Sequence, residues 1–195
     1  MKSNSTFSKL KPIIVLTLIS VVMAALLAAT NMLTSDKISA ITKKNETEAV
    51  AKVIPAEKYE EKTISVDGVS KKYFTAIDKT DNKIVGYAFT VSAYGYGGNV
   101  TAVVGIDTNG KITAVEITDV SGETPGLGQN AKQKSFYDGY KGKTKGVSVV
   151  KSSPKDNEIK AVTGATITSN AVTKSINSAF DIFEKVCDKG EGVEQ

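Results

Sequence analysis

From Pro12 to Leu33 the chain runs for 22 residues without a charged side chain, through a stretch rich in Ile, Val, Leu and Ala. As a helix this run would be roughly 33 Å long at ~1.5 Å per residue, enough to cross the hydrocarbon core of a bilayer. Its few polar residues, Thr17, Ser20, Thr30 and Asn31, suit that setting, because hydroxyls on a helix can bond back to carbonyls of the preceding turn. A cleaved signal peptide has a shorter apolar core, ~7–15 residues, so the length favours an uncleaved anchor. Lys2, Lys9 and Lys11 precede the span with no acidic residue among them. The positive-inside rule then puts the N-terminus in the cytoplasm and the rest of the chain outside the cytoplasmic (inner) membrane, as a single-pass protein.

After the span, Asp36 precedes Ile38 and Ile41, and Val50, Val53 and Ile54 come before Pro55. This pattern predicts a second, partly amphipathic helix leading into a folded domain, with a plain stalk as the simpler alternative. The expected organisation is a cytoplasmic N-terminus at 1–11, a transmembrane helix at 12–33, a helical stalk at 34–58, a folded domain at 59–188 and a flexible tail at 189–195.

The 195 residues leave room for one domain with a real core beside the anchor. The lysines ahead of the span account for much of the net charge of +4: beyond them 22 lysines face 21 acidic residues, so the body is close to neutral. With no arginine and no basic patch, nucleic-acid binding is set aside. Histidine is absent and Cys187 is the one cysteine, which excludes most protein-built metal sites, Cys/His catalysis and internal disulfides. Cys187 reads as a packed or surface-edge residue.

Tyr73–Ile77, Lys83–Ser92 and Asn99–Ile106 are rich in β-branched and aromatic residues and read as strands, with a turn at Asp78–Asn82. Asp107-Thr108-Asn109-Gly110 is a hairpin turn, and Ile112–Val120 returns from it, with Ile112, Ala114 and Glu116 alternating against Thr113, Val115 and Ile117. Lys132–Tyr137 follows as a short helix and Val147–Lys151 as another strand. Val172, Ile176, Ala179, Phe180, Phe183 and Val186 then recur at helical spacing to the C-terminal end. The fold class is α+β, an antiparallel sheet with flanking helices, preceded by one N-terminal transmembrane helix.

Immediately before that last helix stands Ala161-Val162-Thr163-Gly164-Ala165-Thr166-Ile167-Thr168-Ser169. A helix N-terminus presents unpaired N–H groups and partial positive charge, and a glycine there admits an anion close to the backbone, so the arrangement suits a phosphate. Thr168 or Ser169 is the expected N-cap. On spacing alone the word equally fits a threonine-rich turn capping a core helix with no ligand. Without arginine, a phosphate here would rely on backbone N–H groups, hydroxyls or a lysine such as Lys174.

The word Thr-Gly-Ala-Thr-Ile-Thr-Ser resembles the flavinylation motif of the FMN-binding domain family. In that family a flavin transferase joins the FMN phosphate to the last threonine of the Ser/Thr-Gly-Ala-Thr word by a phosphoester bond. The resemblance implies Thr166 as the acceptor, with Thr163, Gly164, Ala165, Thr168 and Ser169 around it. Lys160 stands where the family usually has an aspartate, with Asp156 and Glu158 nearby. A second word, Gly122-Glu123-Thr124-Pro125-Gly126-Leu127-Gly128, resembles a signature of the G subunit of the Rnf electron-transport complex and of the related C subunit of the sodium-pumping NADH:quinone reductase. A third, Gly95-Tyr96-Gly97-Gly98-Asn99 with Val103-Val104-Gly105-Ile106-Asp107, is similar to the same family.

This resemblance implies a covalent FMN electron carrier. Its partners would be the other membrane and redox subunits of an Rnf-type complex, which passes electrons between ferredoxin and NAD while moving Na+ or H+. Glu123, Thr124, Pro125, Gly126, Leu127 and Gly128 would then border the flavin, Pro125 fixing one backbone angle and Gly126 and Gly128 permitting close approach to a flat ring. Glu123 would bond the flavin or loop N–H groups, or simply cap the turn. Tyr94 and Tyr96 would stack near the ring, or mark a strand end. With no acid–base pair for substrate turnover, the expectation is a redox subunit of an oxidoreductase complex rather than a self-sufficient catalyst. Two other readings stand beside it: an anchored FMN protein of another extracytoplasmic electron-transfer chain, and a non-redox anchored binding domain.

Overall fold

A computed structural model describes residues 4–188, and the expected tail from Lys189 to Gln195 lies outside them. By its internal contacts the chain divides into two units, residues 1–44 and 45–195.

The first unit is helical throughout its described residues, as the start of helix α1 (Asn4–Val53). Its apolar side chains find nothing to pack on: Leu16, Leu27 and Leu33 are 67, 69 and 80 % exposed. The helix is long and apolar enough to cross a membrane, and in lipid such a surface is solvated rather than stranded. Ser20 and Thr30 donate their hydroxyl protons to the carbonyls of Leu16 and Leu26, each at 2.9 Å. These polar groups are thus satisfied within the helix.

The second unit is built on a five-stranded antiparallel meander: β1 (Lys58–Val66), β2 (Val69–Ile77), β3 (Ile84–Tyr94), β4 (Asn99–Asp107) and β5 (Ile112–Asp119), ordered as in the sequence. β1 is an element the sequence reading does not contain. Its signal is Asp67-Gly68, both with left-handed φ (52° and 79°), the pair of positive values a tight two-residue hairpin requires.

One sheet face packs on helix α3 (Thr166–Asp188). Tyr87 and Phe89 meet Phe183 there, with Tyr73 against both of them, beside Val172, Ile176, Ala179 and Val186. Every member of the apolar stripe on α3 is buried. The opposite face, carrying Ala76, Ala88 and Val103, is covered by Ala49, Val50, Val53 and Ile54. Small residues on the sheet let this helix end approach closely: a Cβ on Gly105 would lie 2.5 Å from the Val53 carbonyl oxygen. There is no separate second helix before the domain, because α1 is one element to Val53 and its last residues form part of the domain core.

Strict alternation in β5 is also corrected. Gly105 pairs with Ala114 and Ile106 with Ile112, so Thr113 is an extra residue and forms a bulge. The bulge puts Ile112 in the same core as Val115 and Ile117, while Thr113 donates its hydroxyl proton to the Val53 carbonyl at 2.5 Å. Between β5 and α3 lie a 3-10 turn at Gly128–Lys132, a short helix α2 (Lys134–Tyr137), a second 3-10 turn at Asp138–Tyr140, and a two-stranded parallel pair, β6 (Ser148–Val150) and β7 (Glu158–Lys160).

Candidate functional site

The three glycine- and threonine-rich words, separated by tens of residues in sequence, meet at one end of the sheet. A cleft of about 560 Å³ opens there, lined by Tyr96, by Glu123, Thr124, Leu127 and Gly128, and by Gly164, Ala165, Thr166, Ile167 and Thr168. This volume falls within the usual range of small-molecule pockets.

The turn after β3 supplies one wall and is held by Glu123. That carboxylate is 3 % exposed. Its Oε1 accepts the N–H groups of Tyr96 at 2.8 Å and Gly97 at 3.2 Å, and its Oε2 accepts the Thr168 hydroxyl at 2.6 Å. Burial alone would raise the carboxyl pKa, but the bonds from Thr168 and from the Gly97, Tyr96 and Gly98 backbone outweigh it and hold the group below its ordinary value. Glu123 therefore sits in the wall as an anion whose oxygens are bonded to the protein itself. Of the roles expected for it, bonding the loop N–H groups is the one seen.

Glycines make room for this clamp. A Cβ on Gly95 would collide with Glu123 Oε1, and one on Gly128 would collide with Oε2. Gly128 thus makes room for the carboxylate and also lines the cleft. Gly126 (φ 75°) and Pro125 are exposed at the outer bend of the loop and do not line the cleft. That bend is braced by Asn130, which donates its amide to the Gly126 carbonyl at 2.7 Å, and by Gln129, which donates to the Glu123 carbonyl at 3.0 Å.

The threonine word forms the other wall. Gly164 turns the chain with φ 76°, and α3 begins at Thr166, so neither Thr168 nor Ser169 is the N-cap; both lie buried in the first turn. Their hydroxyls are spent on tertiary and local bonds. Thr168 holds Glu123, while Ser169 donates to the Ala165 carbonyl at 2.9 Å and accepts the Val162 N–H at 2.9 Å. Thr163 is exposed and faces a second, shallower cleft with Asn130, Gln133 and Lys160. Thr166 alone among the hydroxyls of this word lines the main cleft and makes no hydrogen bond among the described residues. It occupies the first turn of a 23-residue helix, where free N–H groups and the helix dipole favour a phosphate. Lys174 is exposed and does not line this cleft, and no other cation among the described residues does.

Tyr96 lines the cleft, whereas Tyr94, 72 % exposed, stands outside it. Cys187, half-buried on α3, has its thiol pKa raised by burial and by Asp188, as befits an unreactive packed residue. Among the described residues no cluster of His, Cys, Asp or Glu could hold a metal ion.

The cleft has apolar walls and a free hydroxyl at a helix N-terminus, a setting that suits a nucleotide, and the FMN-binding domain model matches residues 95–181. The chain is 35 % identical over 189 residues to the G subunit of the Na(+)-translocating ferredoxin:NAD(+) oxidoreductase complex of Acetobacterium woodii, covering 89 % of this chain and 90 % of that protein. It is 31 % identical over 179 residues to the G subunit of the ion-translocating oxidoreductase complex of Methanosarcina acetivorans, covering 88 % and 92 %. Among solved structures it resembles the C subunit of the Na(+)-translocating NADH-quinone reductase from Parabacteroides distasonis, with a TM-score of 0.49 and 25 % identity over 57 % of this chain and 59 % of that one. The chain belongs to the family of G subunits of ion-translocating ferredoxin:NAD(+) oxidoreductase complexes, known as Rnf complexes.

Proposed function

We propose that the chain is a membrane-anchored electron carrier that holds FMN by a phosphoester on Thr166, as the G subunit of an Rnf-type ferredoxin:NAD+ oxidoreductase complex. The observation that carries the site is the division of labour among the hydroxyls: Thr168 and Ser169 are consumed by the fold, Thr163 faces elsewhere, and Thr166 is left bare at the helix N-terminus inside the cleft. Bound there, FMN supplies reversible electron transfer.

The protein's part is to bind and position. N–H groups of the first turn of α3 face the phosphate, Gly164 keeps the approach open, and Leu127, Ile167 and Tyr96 offer apolar walls to a planar ring. The Glu123–Thr168 bond fixes the two walls relative to each other. Attachment forms one bond, from Thr166 Oγ1 to the FMN phosphorus, with loss of the hydroxyl proton and of the donor's leaving group, and a flavin transferase is the maturation partner. Lys160, at the end of β7, does not line the cleft and leaves the acceptor itself unobstructed. The lysines ahead of the span support, by the positive-inside rule, an N-terminus in the cytoplasm and a flavin domain outside the inner membrane.

The test is the intact mass and in-gel ultraviolet fluorescence of the full chain coexpressed with a flavin transferase, beside Thr166→Ala. The expected result is a mass gain of one FMN less one water, absent from the variant. A wild-type chain left unmodified by a transferase that labels a control substrate would overturn the covalent assignment.

A further inference from the structure

The rim of the cleft is unlike the rest of the chain, in which 24 % of residues are charged. The segments that build it, 93–99, 120–131 and 161–173, contain a single ionisable acidic or basic side chain, Glu123, and that one is buried. Six large apolar side chains are exposed in the described part of the domain, and Tyr94, Tyr96, Leu127 and Ile167 belong to these segments; the other two, Val69 and Val85, lie elsewhere. A bound FMN accounts for the inward faces of Tyr96, Leu127 and Ile167, which line the cleft. It does not account for Tyr94, outside the cleft and 72 % exposed. Uncharged surface with several exposed apolar side chains marks an interaction site.

The topology of the domain says from where a partner comes. Ile54 lies against Gly86 near the start of β3, while Glu46 accepts the Thr90 hydroxyl proton at 2.6 Å farther along that strand. The chain therefore comes into the domain from the end of β3 that leads to Tyr94 and the cleft. Only residues 34–44 separate the apolar span from Asn45, at most ~40 Å of chain even if fully extended. We propose that the uncharged rim around the cleft is the surface by which this domain docks on an uncharged, apolar protein surface of a membrane-embedded subunit of the same complex, a proposal that rests on the functional reading above. No lysine lines the cleft, which favours a protein over a bilayer, since a surface that rests on anionic lipid gains from the lysines and arginines it carries.

The test uses the full chain in its complex, purified through a tag on another subunit. Wild-type retention is expected to be indifferent to salt between about 50 and 500 mM, because no exposed charges form the contact. Tyr94→Lys is expected to keep its FMN mass and thermal stability but to lose retention by at least about tenfold, since the new charge must be desolvated. Val69→Lys, the same change on the far hairpin, is expected to behave as wild type. In addition, Tyr94→Cys in a Cys187→Ser background is expected to resist a water-soluble maleimide in the complex and to react when the full chain stands alone in phosphatidylcholine nanodiscs.

Retention that falls steeply with salt, or Tyr94→Lys retained like wild type, would overturn the docking surface and leave the flavin carrier standing. Protection of the introduced thiol by the nanodisc alone would make lipid the occupant and overturn the protein partner. A wild-type chain that carries no FMN and fails to copurify would overturn the functional reading and the docking surface together.

Discussion

Glu123 does at residue scale what a disulfide or a metal does in other small domains. One buried carboxylate joins the turn after β3 to the first turn of α3 through three hydrogen bonds. Hydrogen bonds to an ionised acceptor contribute about 1.5–3 kcal/mol each, net of the water bonds they replace. Because its folded pKa lies below the ordinary 4.5, its ionisation contributes stability that is fully present above that value and is lost as pH falls through the folded value. Glu123→Gln should therefore lower the urea midpoint at neutral pH by an amount equivalent to about 2 kcal/mol. The gap from wild type should narrow as the pH drops below 4.5. A gap that stays constant through the acid range would show that the carboxylate's charge contributes nothing.

Elements differ in how openly the sequence announces them. The stripe on α3 is legible because a 3.6-residue period sustained from Val172 to Val186 fits a helix and not a strand, and each of its members is buried. Ile176→Ala in that stripe should cost about 3 kcal/mol in chemical denaturation, the usual scale for truncating a fully buried isoleucine. The start of the same helix is harder to place because Thr168 and Ser169 have the chemistry of N-caps, and only their partners, Glu123 and Val162, reveal that their hydroxyls are engaged elsewhere. β1 escapes notice because Lys58, Glu60, Glu61 and Lys62 disguise an edge strand as solvent-exposed stalk. The bulge at Thr113 is invisible because nothing local marks it; its cause is the carbonyl of Val53, sixty residues away. Thr113→Val should lower stability by about 1 kcal/mol in the same assay, one neutral hydrogen bond, and a larger loss would mean that the bulge itself collapses. The meeting of the three words is foreseeable only by resemblance, since no periodicity says that residues 96, 123 and 166 share a cleft.

For the whole molecule, the anchor and the domain impose separate requirements on one chain. If the lysines before the span set its direction, a C-terminal alkaline phosphatase fusion in a bacterial host should be active and a green fluorescent protein fusion dark. The opposite pattern would put the flavin site on the cytoplasmic face. A second requirement arises from the open meander, whose outer strands could each template pairing with a neighbour. β5 is shielded by the 3-10 turns and α2 that pack beside it. β1 touches α3 but carries no run of turns and helix beside it like that of β5 among the described residues, and lysine and glutamate side chains occupy it. Proteins held in a bilayer meet one another in two dimensions and at high local density. The charged border of β1 thus acts as an insulator: it lets many copies of a redox domain crowd one membrane without their sheets fusing into a common ribbon.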